Sequence, residues 1–391
     1  MPEETSLEVV EADDGLWHEY DLLARRSYGQ PVGDISRLRE HADIRVALRD
    51  GRVIGGGLGL PVPQYFGGKH VPSACLAGGC IAPEERGSHL WSLLLDERTR
   101  SLQDQGAVLA TAWTASTGYG RRMGWAAPAP VFSWEVPSDQ LGRSFADIGF
   151  KITHIPEGHT GVRQAEFAAR WNGPWLRPQW WPVWQQDVHP DLTHYEFALP
   201  GHAPDGLLTL GFDRHPVDGR QLVVHDFWAD SSDAASAMLC FLGRHSSRIP
   251  TVMFQRTALP PTPLLHRLHR AGAAAATSWH PWMLRVLDLT KAVQLRGWPG
   301  DLDIALSLTV ASSTGDQAFT LHISGGHGEL TPTSSPRTQL ALTEQQFAVW
   351  YAGGYRSATS ALLDGVGGAP ADVARLVGAT SETEPWLPEY F

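Results

Sequence analysis

The alternation of apolar and polar residues over the first third of the chain predicts a mixed sheet flanked by helices. Apolar side chains recur at helical spacing over residues 16–29, after an acidic start. Two apolar runs, 44–48 and 53–58, flank Asp50-Gly51, a dipeptide typical of a two-residue hairpin turn. A strand, a helix and a buried strand are then predicted at 73–81, 87–105 and 107–113. Elements in this order favour an α/β layer arrangement.

The middle of the chain predicts a second unit with a similar order of elements. Residues 171–186 hold five Trp and three Pro, too much proline for one continuous helix. Beyond them, two strands, a helix and a further strand are predicted at 207–212, 222–228, 234–245 and 251–255.

The last third predicts a small α+β unit. A strand running into a helix begins near Trp282, two alternating segments follow at 303–310 and 318–324, and a helix is expected over 343–350. From Glu382 the tail is expected to be extended, and it ends on two aromatic residues.

The composition narrows the class of protein. A chain of 391 residues with 42% hydrophobic and 19% charged residues is expected to fold into two or three domains. Its net charge of −11 repels phosphate backbones, which argues against a nucleic-acid partner. Three cysteines without a CxxC pair are expected to be reduced thiols. The N-terminus lacks a signal-peptide pattern and no apolar run approaches a membrane span, so we expect a cytoplasmic protein without a membrane partner.

Two further patterns have simpler interpretations than a ligand site. The run Gly55-Gly56-Gly57 lies inside a predicted hairpin strand with no helix after it, which favours close backbone packing or a bulge over dinucleotide binding. His266 and His269 have the i, i+3 spacing of helical metal ligands, but no acidic third ligand lies nearby in the sequence. We therefore expect no metal site.

The segment CIAPEERGSHLWSLLL, residues 80–95, resembles the coenzyme A loop of the GNAT superfamily. In that superfamily a strand ends at this motif, and backbone amides at the start of the following helix hold the pyrophosphate. Glycines suit such a loop because an anion at a helix N-terminus is approached by bare backbone. The positions that match the motif are Pro83, Glu84, Arg86 and Gly87.

Two more segments extend the resemblance. STGYGRRMGW, residues 116–125, is similar to the Tyr-x-Arg/Lys-x-Gly-Phe element that follows the fifth strand of GNAT enzymes. Residues 342–365, together with the aromatic tail, resemble the Eis family of actinobacterial N-acetyltransferases, which join two GNAT-like domains to a sterol-carrier-like domain. The length and three-part layout of the chain fit that family.

The resemblance implies an α/β (α+β) fold with tandem GNAT-fold mixed sheets and a C-terminal SCP2-like α+β domain. The expected boundaries are an N-terminal GNAT domain at 1–137, a second GNAT-like domain at 138–284 and a sterol-carrier-protein-like domain at 285–391. The C-terminal tail would enter the active site. The resemblance also implies a homo-oligomer, either a trimer or a hexamer.

By the same resemblance, Tyr119 is the general acid that protonates the leaving thiolate of CoA, and the carboxylate of Phe391 is the general base. Acyl transfer to an amine needs a proton acceptor at the nucleophile and a donor at the sulfur. Without the resemblance, a Tyr between two glycines is more often a packed ring. The expected contacts of acetyl-CoA are Cys80, Ile81, Ala82, Arg86, Gly87, Ser88, His89, Leu90 and Thr114. The expected contacts of the small-molecule amine are Tyr28, Gln30, Trp113 and Glu389.

One departure from the motif leaves two hypotheses open. The key glycine of the family falls at His89, whose side chain would obstruct the space for the pyrophosphate. The first hypothesis is an N-acyltransferase that moves an acetyl group from CoA to a small molecule, such as an antibiotic or another specialised metabolite. The second is a GNAT-fold enzyme that no longer uses CoA and catalyses a different reaction in the same cleft of a biosynthetic pathway. A binding protein without activity is a third, weaker interpretation.

Overall fold

The computed structural model describes residues 7–28, 35–87, 89–114, 123–156, 161–214, 220–256, 259–260, 265–270, 275–334 and 338–391. Contacts divide the chain into two compact units. Unit 1 comprises residues 1–128, 282–382 and 391, and unit 2 comprises residues 129–281 and 383–390.

The strands, in chain order, are β1 (Leu7–Glu11), β2 (Asp43–Arg49), β3 (Arg52–Pro61), β4 (Gln64–Phe66), β5 (Lys69–Val71), β6 (Ser73–Ile81), β7 (Leu109–Trp113), β8 (Phe132–Pro137), β9 (Lys151–Ile155), β10 (Thr193–Ala198), β11 (Gly206–Asp213), β12 (Gln221–Ala229), β13 (Thr251–Phe254), β14 (Ala275–Ser278), β15 (Trp282–Val286), β16 (Asp303–Ser312), β17 (Gly315–Ser324), β18 (His327–Pro332), β19 (Leu340–Thr343) and β20 (Gly367–Gly368). The α-helices are α1 (Asp14–Tyr28), α2 (Leu90–Asp104), α3 (Ser138–Ser144), α4 (Gly161–Ala168), α5 (Trp180–Val188), α6 (Ser232–Gly243), α7 (Leu265–Arg270), α8 (Leu289–Leu295), α9 (Glu344–Ala352), α10 (Ala358–Leu363) and α11 (Pro370–Gly378). Short 3-10 helices lie at Ile35–His41 and Pro83–Glu85.

Unit 1 contains a six-stranded sheet in the order β1-β2-β3-β6-β7-β15. Its neighbours are antiparallel except for the parallel pair β6 and β7. The predicted hairpin is confirmed: Asp50 and Gly51 have φ of 52° and 74°, the left-handed conformations that a two-residue hairpin turn requires. Helices α1 and α2 pack on this sheet, as the sequence pattern predicts.

The glycine run on β3 explains how both helices lie so close to the sheet. A Cβ at Gly56 would lie 2.4 Å from the ring of Tyr20 on α1. A Cβ at Gly57 would lie 2.3 Å from Cζ of Arg98, and one at Gly59 would lie 2.3 Å from Leu102, both on α2. Successive strand residues face opposite sides, so the run admits one helix on each face. The interpretation as close packing is therefore confirmed.

The C-terminal part of unit 1 is a second α+β layer. Its five-stranded sheet has the order β18-β17-β16-β19-β20. Capping boxes at Thr343/Gln346 and Ser357/Ser360 begin α9 and α10, and Gly353 ends α9 in the left-handed conformation. Fully buried rings of Trp350 and Phe347 fill its core.

Unit 2 contains a seven-stranded mixed sheet in the order β14-β8-β13-β12-β11-β10-β9. Its core includes Phe197, Phe227 and Phe254, with α6 packed against the sheet through Met238 and Leu242. The proline-rich stretch is helical from Trp180, so the prediction that excluded one continuous helix holds for residues 171–179. Pro182 fits α5 because it lies in the first turn, where a backbone N–H has no intrahelical partner.

No helix within the described ranges is both long enough and apolar enough to cross a membrane.

Candidate active site

The first sheet opens between β6 and β7. These strands pair from Ser73 with Leu109 to Leu76 with Ala112, and the pairing ends there although β6 continues to Ile81. On the other side, β7 ends one residue later at Trp113. Parallel strands that separate expose backbone donors and acceptors to an extended ligand. We call the space beside residues 77–81 and Trp113 the β6–β7 opening.

A bulge shapes β6 next to this opening. Leu58 pairs with Ala77 and Gly56 pairs with Cys80, so two residues of β6 lie opposite one residue of β3. Gly78 has φ of 59°, a conformation that side chains rarely adopt. The bulge turns backbone groups of β6 out of the regular ladder.

Helix α1 supplies hydroxyl groups to the bulged strand. The hydroxyl of Tyr20 donates to the carbonyl of Gly78 at 2.6 Å, and the hydroxyl of Tyr28 donates to the carbonyl of Gly79. Tyr20 is fully buried, and burial together with the nearby Cys80 raises its pKa well above the usual value. Tyr20 therefore stays a hydrogen-bond donor, while Tyr28 is 45% exposed.

The loop that leads from β6 into α2, residues 82–89, is described except for Ser88 and contains a position that favours glycine. Gly87 has φ of 89°, so this position needs glycine. His89 stands at the N-cap of α2 with φ of −73° and ψ of 4°, values that any residue adopts, and its exposed side chain makes no capping hydrogen bond. The backbone of this α2 loop therefore accepts His89 without strain.

The charges around the α2 loop are balanced in favour of an anion. Glu84 pairs with Arg26 at 3.0 Å, and Glu85 pairs with Arg49. Nη2 of Arg86 donates to the carbonyl of Ser27 at 3.2 Å, and its side chain stays exposed. Both carboxylates of the loop are thus paired with arginines, and the helix N-terminus that follows carries partial positive charge.

Comparison with protein families accounts for this arrangement. A model of the acetyltransferase (GNAT) domain matches residues 8–127, a second acetyltransferase (GNAT) domain model matches residues 173–286, and a sterol carrier protein domain model matches residues 289–388. The chain belongs to the GNAT acetyltransferases. It is an acyltransferase with tandem GNAT domains and a C-terminal sterol carrier protein domain, as the sequence predicts.

Solved structures share this fold along the whole chain. A GCN5-related N-acetyltransferase from Anabaena variabilis is 21% identical, with a TM-score of 0.86, over 99% of this chain and 100% of its own. One from Kribbella flavida is 21% identical, with a TM-score of 0.79, over 99% of each chain. Eis1 from Mycobacterium abscessus is 18% identical, with a TM-score of 0.76, over 99% of this chain and 100% of its own. No curated protein sequence matches the chain.

Strand β15 belongs to the second GNAT match by sequence but to the sheet of the first GNAT domain by its pairing. Strand β15 lies inside the range of the second GNAT match, residues 173–286, yet it pairs with β7 in the sheet of the first GNAT domain. Trp282 on β15 lies opposite Trp113, and its Nε1 donates to the hydroxyl of the fully buried Thr111 at 2.5 Å. The first GNAT sheet is therefore completed by a segment that follows residues 129–281 of unit 2 in the sequence.

The structure brings several predicted contact residues of the first GNAT domain together. Tyr28, Cys80, Ile81 and Arg86 meet at the end of β6, where Ser27 links the last two through its hydroxyl and carbonyl groups. The Cys80 thiol is buried, and burial raises its pKa to about 11, so it is not a nucleophile at neutral pH. Leu90 is buried among apolar side chains and can contribute only backbone to a ligand.

The backbone of Ala82 is engaged through both its N–H and its carbonyl. Its N–H donates to the carbonyl of Ile54 at 2.8 Å, and its carbonyl accepts from Glu85 N at 2.9 Å. Its part in binding acetyl-CoA stays a prediction, and Cys80 and Ile81 offer backbone closer to the β6–β7 opening.

Other predicted residues lie outside the described part of the chain or at its edge. Tyr119, Ser88 and Gln30 lie outside the described residues. Thr114 is half-buried and is the last described residue before that gap. Phe391 is half-buried and is grouped by its contacts with unit 1.

Glu389 lies within unit 2, at the centre of a buried ion cluster. Its Oε1 accepts from Nε of Arg177 at 2.8 Å, and its Oε2 accepts from the backbone N–H of Trp175 at 3.1 Å. Arg177 also holds Asp226 through two hydrogen bonds, at 2.6 and 2.7 Å. Burial lowers the pKa of Arg177, but the two carboxylates outweigh it, and the net shift is upward. A pairing of Glu389 with a substrate amine stays a prediction, and it would require one of these bonds to open.

Two residues of the first GNAT site, Tyr20 and Arg98, were not predicted. The available signal was the pair of glycine runs, 55–57 and 78–79, on strands that turn out to be neighbours. Tyr20 and Arg98 occupy the space that side chains at Gly56 and Gly57 would fill, and Arg98 also occupies the space at Gly79. Glycine runs on neighbouring strands therefore indicate a bulge with large side chains packed against it.

Proposed function

We propose that the first GNAT domain transfers an acyl group, in the first place acetyl, from CoA to the amine of a small molecule. The observation that carries this proposal is the α2 loop beside the β6–β7 opening. A helix N-terminus with an Arg-Gly pair and neutralised carboxylates suits a pyrophosphate, and the part of β6 that extends beyond its pairing with β7 suits the extended pantetheine arm.

The second GNAT domain lacks the same features at the equivalent place. Strand β12 leads into α6 through Asp230 and Ser231, and Asp233 stands in the first turn. The hydroxyl of Ser231 already accepts from Ala234 N at 3.0 Å, so the helix start is capped by the chain itself. A helix start that is already capped offers fewer free backbone amides to an anion, which supports the first GNAT domain as the place where CoA binds.

The proposed contacts of acetyl-CoA follow from this placement. Backbone of Cys80, Ile81 and Ala82 would pair with pantetheine, with Thr114 on the β7 side. The α2 loop would face the pyrophosphate through Arg86, Gly87, Ser88, His89 and Leu90. His89 is exposed at the helix N-cap, where an imidazole N–H can donate a hydrogen bond to a phosphate.

The proposed chemistry is direct attack of the amine nitrogen on the thioester carbonyl. The C–N bond forms, the C–S bond breaks, the Phe391 carboxylate accepts the proton of the amine and Tyr119 protonates the thiolate. A free α-carboxylate has a reference pKa of about 3.3–3.7, so partial burial must raise the pKa of the Phe391 carboxylate for it to serve as a base. Its half-buried position is consistent with that requirement.

The acceptor is proposed to be a small amine that binds against aromatic side chains, in the class of antibiotics or other specialised metabolites. The exposed ring of Tyr28 and the half-buried ring of Trp113 offer faces that attract a cationic amine. Gln30 and Glu389 complete the proposed substrate set. A cytoplasmic location and a trimeric or hexameric assembly belong to the same proposal.

Calorimetric titration with acetyl-CoA tests the cofactor. We expect micromolar binding, at least about tenfold weaker binding for Arg86→Ala, and unchanged binding for the control Arg100→Ala. Arg100 is exposed near the other end of α2 and pairs only with Glu97 in the described ranges. Absence of heat at millimolar ligand would overturn CoA dependence and favour the GNAT-fold enzyme that performs a different reaction.

Thiol release from acetyl-CoA in the presence of a panel of amines tests the acid and the base. Tyr119→Phe and deletion of Phe391 should each lower turnover by about 100-fold or more. Phe391→Ala is the matched control, because it keeps a terminal carboxylate at the same position, and it should lose much less than the deletion. Near-normal turnover in Tyr119→Phe and in the deletion would sink the assignment of both roles.

A further inference from the structure

Helix α2 buries an arginine beneath the bulge of β6. Arg98 is 3% exposed, and its Nη2 donates to the carbonyl of Ala77 at 2.7 Å and to the carbonyl of Leu58. The hydrogen-bond acceptors of this guanidinium in the described ranges are carbonyls and not carboxylates. Buried charges in proteins are usually paired with an opposite charge, because an ion taken out of water loses its hydration. A full positive charge is thus placed against backbone dipoles of β3 and β6.

The neighbouring strands have room for Arg98 only because they carry glycine. A Cβ at Gly57 would lie 2.3 Å from Cζ of Arg98, and a Cβ at Gly79 would lie 2.9 Å from its Nη1. The same Cβ at Gly79 would lie 2.7 Å from the ring of Trp91. The guanidinium is therefore enclosed on the α2 side of the bulge and has little freedom to reorient.

Arg98 completes a set of side chains that hold the carbonyls of the bulge. Three successive carbonyls of β6 accept hydrogen bonds from side chains, in the pairs Ala77 with Arg98, Gly78 with Tyr20 and Gly79 with Tyr28. Each of these peptides is trans and planar, so the N–H of the next residue points opposite to the held carbonyl. The set therefore fixes the directions of the amides of residues 78–80, on the stretch of β6 that has left β7.

We propose that Arg98 is a positioning residue for the acyl donor: its guanidinium holds the bulge so that the backbone of residues 77–80 presents one fixed set of groups to the acyl-pantetheine arm. This inference rests on the proposed function, since it concerns the same opening. Arg98 does not touch the reacting atoms and acts through the backbone. A fixed backbone lowers the cost of aligning the thioester for attack.

Hydrogen exchange of the free protein tests the hold of Arg98 on the bulge. We expect the amides of residues 77–81 to exchange at least about tenfold faster in Arg98→Met than in the wild type, with Arg98→Lys in between. Arg100→Met, on the exposed face of the same helix, is the control and should leave this exchange unchanged. If Arg98→Met does not fold, Arg98→Lys and Tyr20→Phe carry the test, because each weakens the same set of hydrogen bonds. Unchanged exchange in the folded variants would overturn the inference.

Kinetics separate positioning from a general loss of stability. We expect kcat for acetyl transfer to fall about tenfold to 100-fold in Arg98→Met, with the Kd of desulfo-CoA nearly unchanged and partial recovery in Arg98→Lys. A loss seen only in Tm, or equally in kcat and in desulfo-CoA binding, would assign Arg98 a structural role alone and overturn the inference. Failure of the proposed function has a different signature, because the wild type itself would then not bind acetyl-CoA.

Discussion

Glu389 and Arg177 form a buried ion pair at 2.8 Å in which the carboxylate side chain is fully enclosed and the guanidinium side chain is 7% exposed. The pair joins the C-terminal tail to the body of unit 2. Backbone hydrogen bonds of Asn172 with Glu384 and Trp386, at 3.1 and 2.8 Å, lie on the same tail. The end of the chain is therefore held by charge as well as by backbone pairing.

Replacing Arg177 should destabilise unit 2 strongly. Arg177→Met leaves Asp226 and Glu389 buried without a cation, which costs about 3–5 kcal/mol in the free energy of unfolding. Arg170→Met is the matched control, because its pair with Asp230 is 60% exposed on the arginine side and should be worth about 0–1 kcal/mol. Urea unfolding followed by tryptophan fluorescence measures both, and equal losses would contradict a buried-charge effect.

His225 should make unit 2 less stable in weak acid than at neutral pH. Burial, together with the neighbouring His189 ring at 4.5 Å, lowers the pKa of His225 to about 4. The unfolded chain has an ordinary His pKa of about 6.5 and so binds more protons than the folded protein between pH 6.5 and 4. Stability is therefore lost as the pH falls through this window.

The measurement is the thermal midpoint of unfolding as a function of pH. The fall between pH 6.5 and 4 should be shallower in His225→Gln than in the wild type. His202→Gln, at an exposed position, should keep the steeper wild-type slope. A His225→Gln profile that runs parallel to the wild type would show that another group controls the acid response.

Gly243 should not tolerate a side chain, because α3 and α6 touch through their backbones. A Cβ at Gly243 would lie 2.3 Å from the backbone N of Gly142 and 2.6 Å from its Cα, atoms that cannot move aside. We expect Gly243→Ala to cost about 1–3 kcal/mol in the free energy of unfolding. Gly378→Ala places its Cβ in open space at the end of α11 and should be neutral or stabilising by up to about 1 kcal/mol. Urea unfolding of the two variants provides the comparison.

The three cysteines should differ in their reaction with iodoacetamide. Cys75 and Cys80 are buried, and burial raises the pKa of Cys80, so little thiolate is present and reagent access is poor. Cys240 is half-buried and should be alkylated first in the native protein at neutral pH, as read by mass spectrometry of the digested chain. All three should react in urea, and early labelling of Cys80 in the native protein would contradict its burial.

The sequence was sufficient for those strands and helices that have a clear apolar face. Strands β6, β11 and β12 are long and buried, and the pattern predicts them within one residue of their observed ends. Strand β3 is also predicted, but it extends three residues further, to Pro61. Strands β9 and β14 were not predicted, because they are edge strands with mostly exposed side chains and no apolar alternation to find.

The sequence predicts only those parts of the candidate site whose residues form a contiguous motif. The α2 loop is contiguous, so its Arg-Gly pair is visible in the sequence. Arg98 is not visible in this way, because it stands one helical turn after Leu94 on the buried face, where an apolar residue is expected. Its acceptors, Leu58 and Ala77, lie 40 and 21 residues away in the chain, and nothing local indicates them.

The position of β15 has a consequence for how this protein is made. Strands β7 and β15 are neighbours in the first GNAT sheet, yet all of unit 2 up to residue 281 separates them in the sequence. On the ribosome, the first sheet must therefore keep an open edge at β7 until residues 129–281 and β15 have been synthesised. Domains generally fold as units during synthesis, so unit 2 can form its sheet before the first one closes.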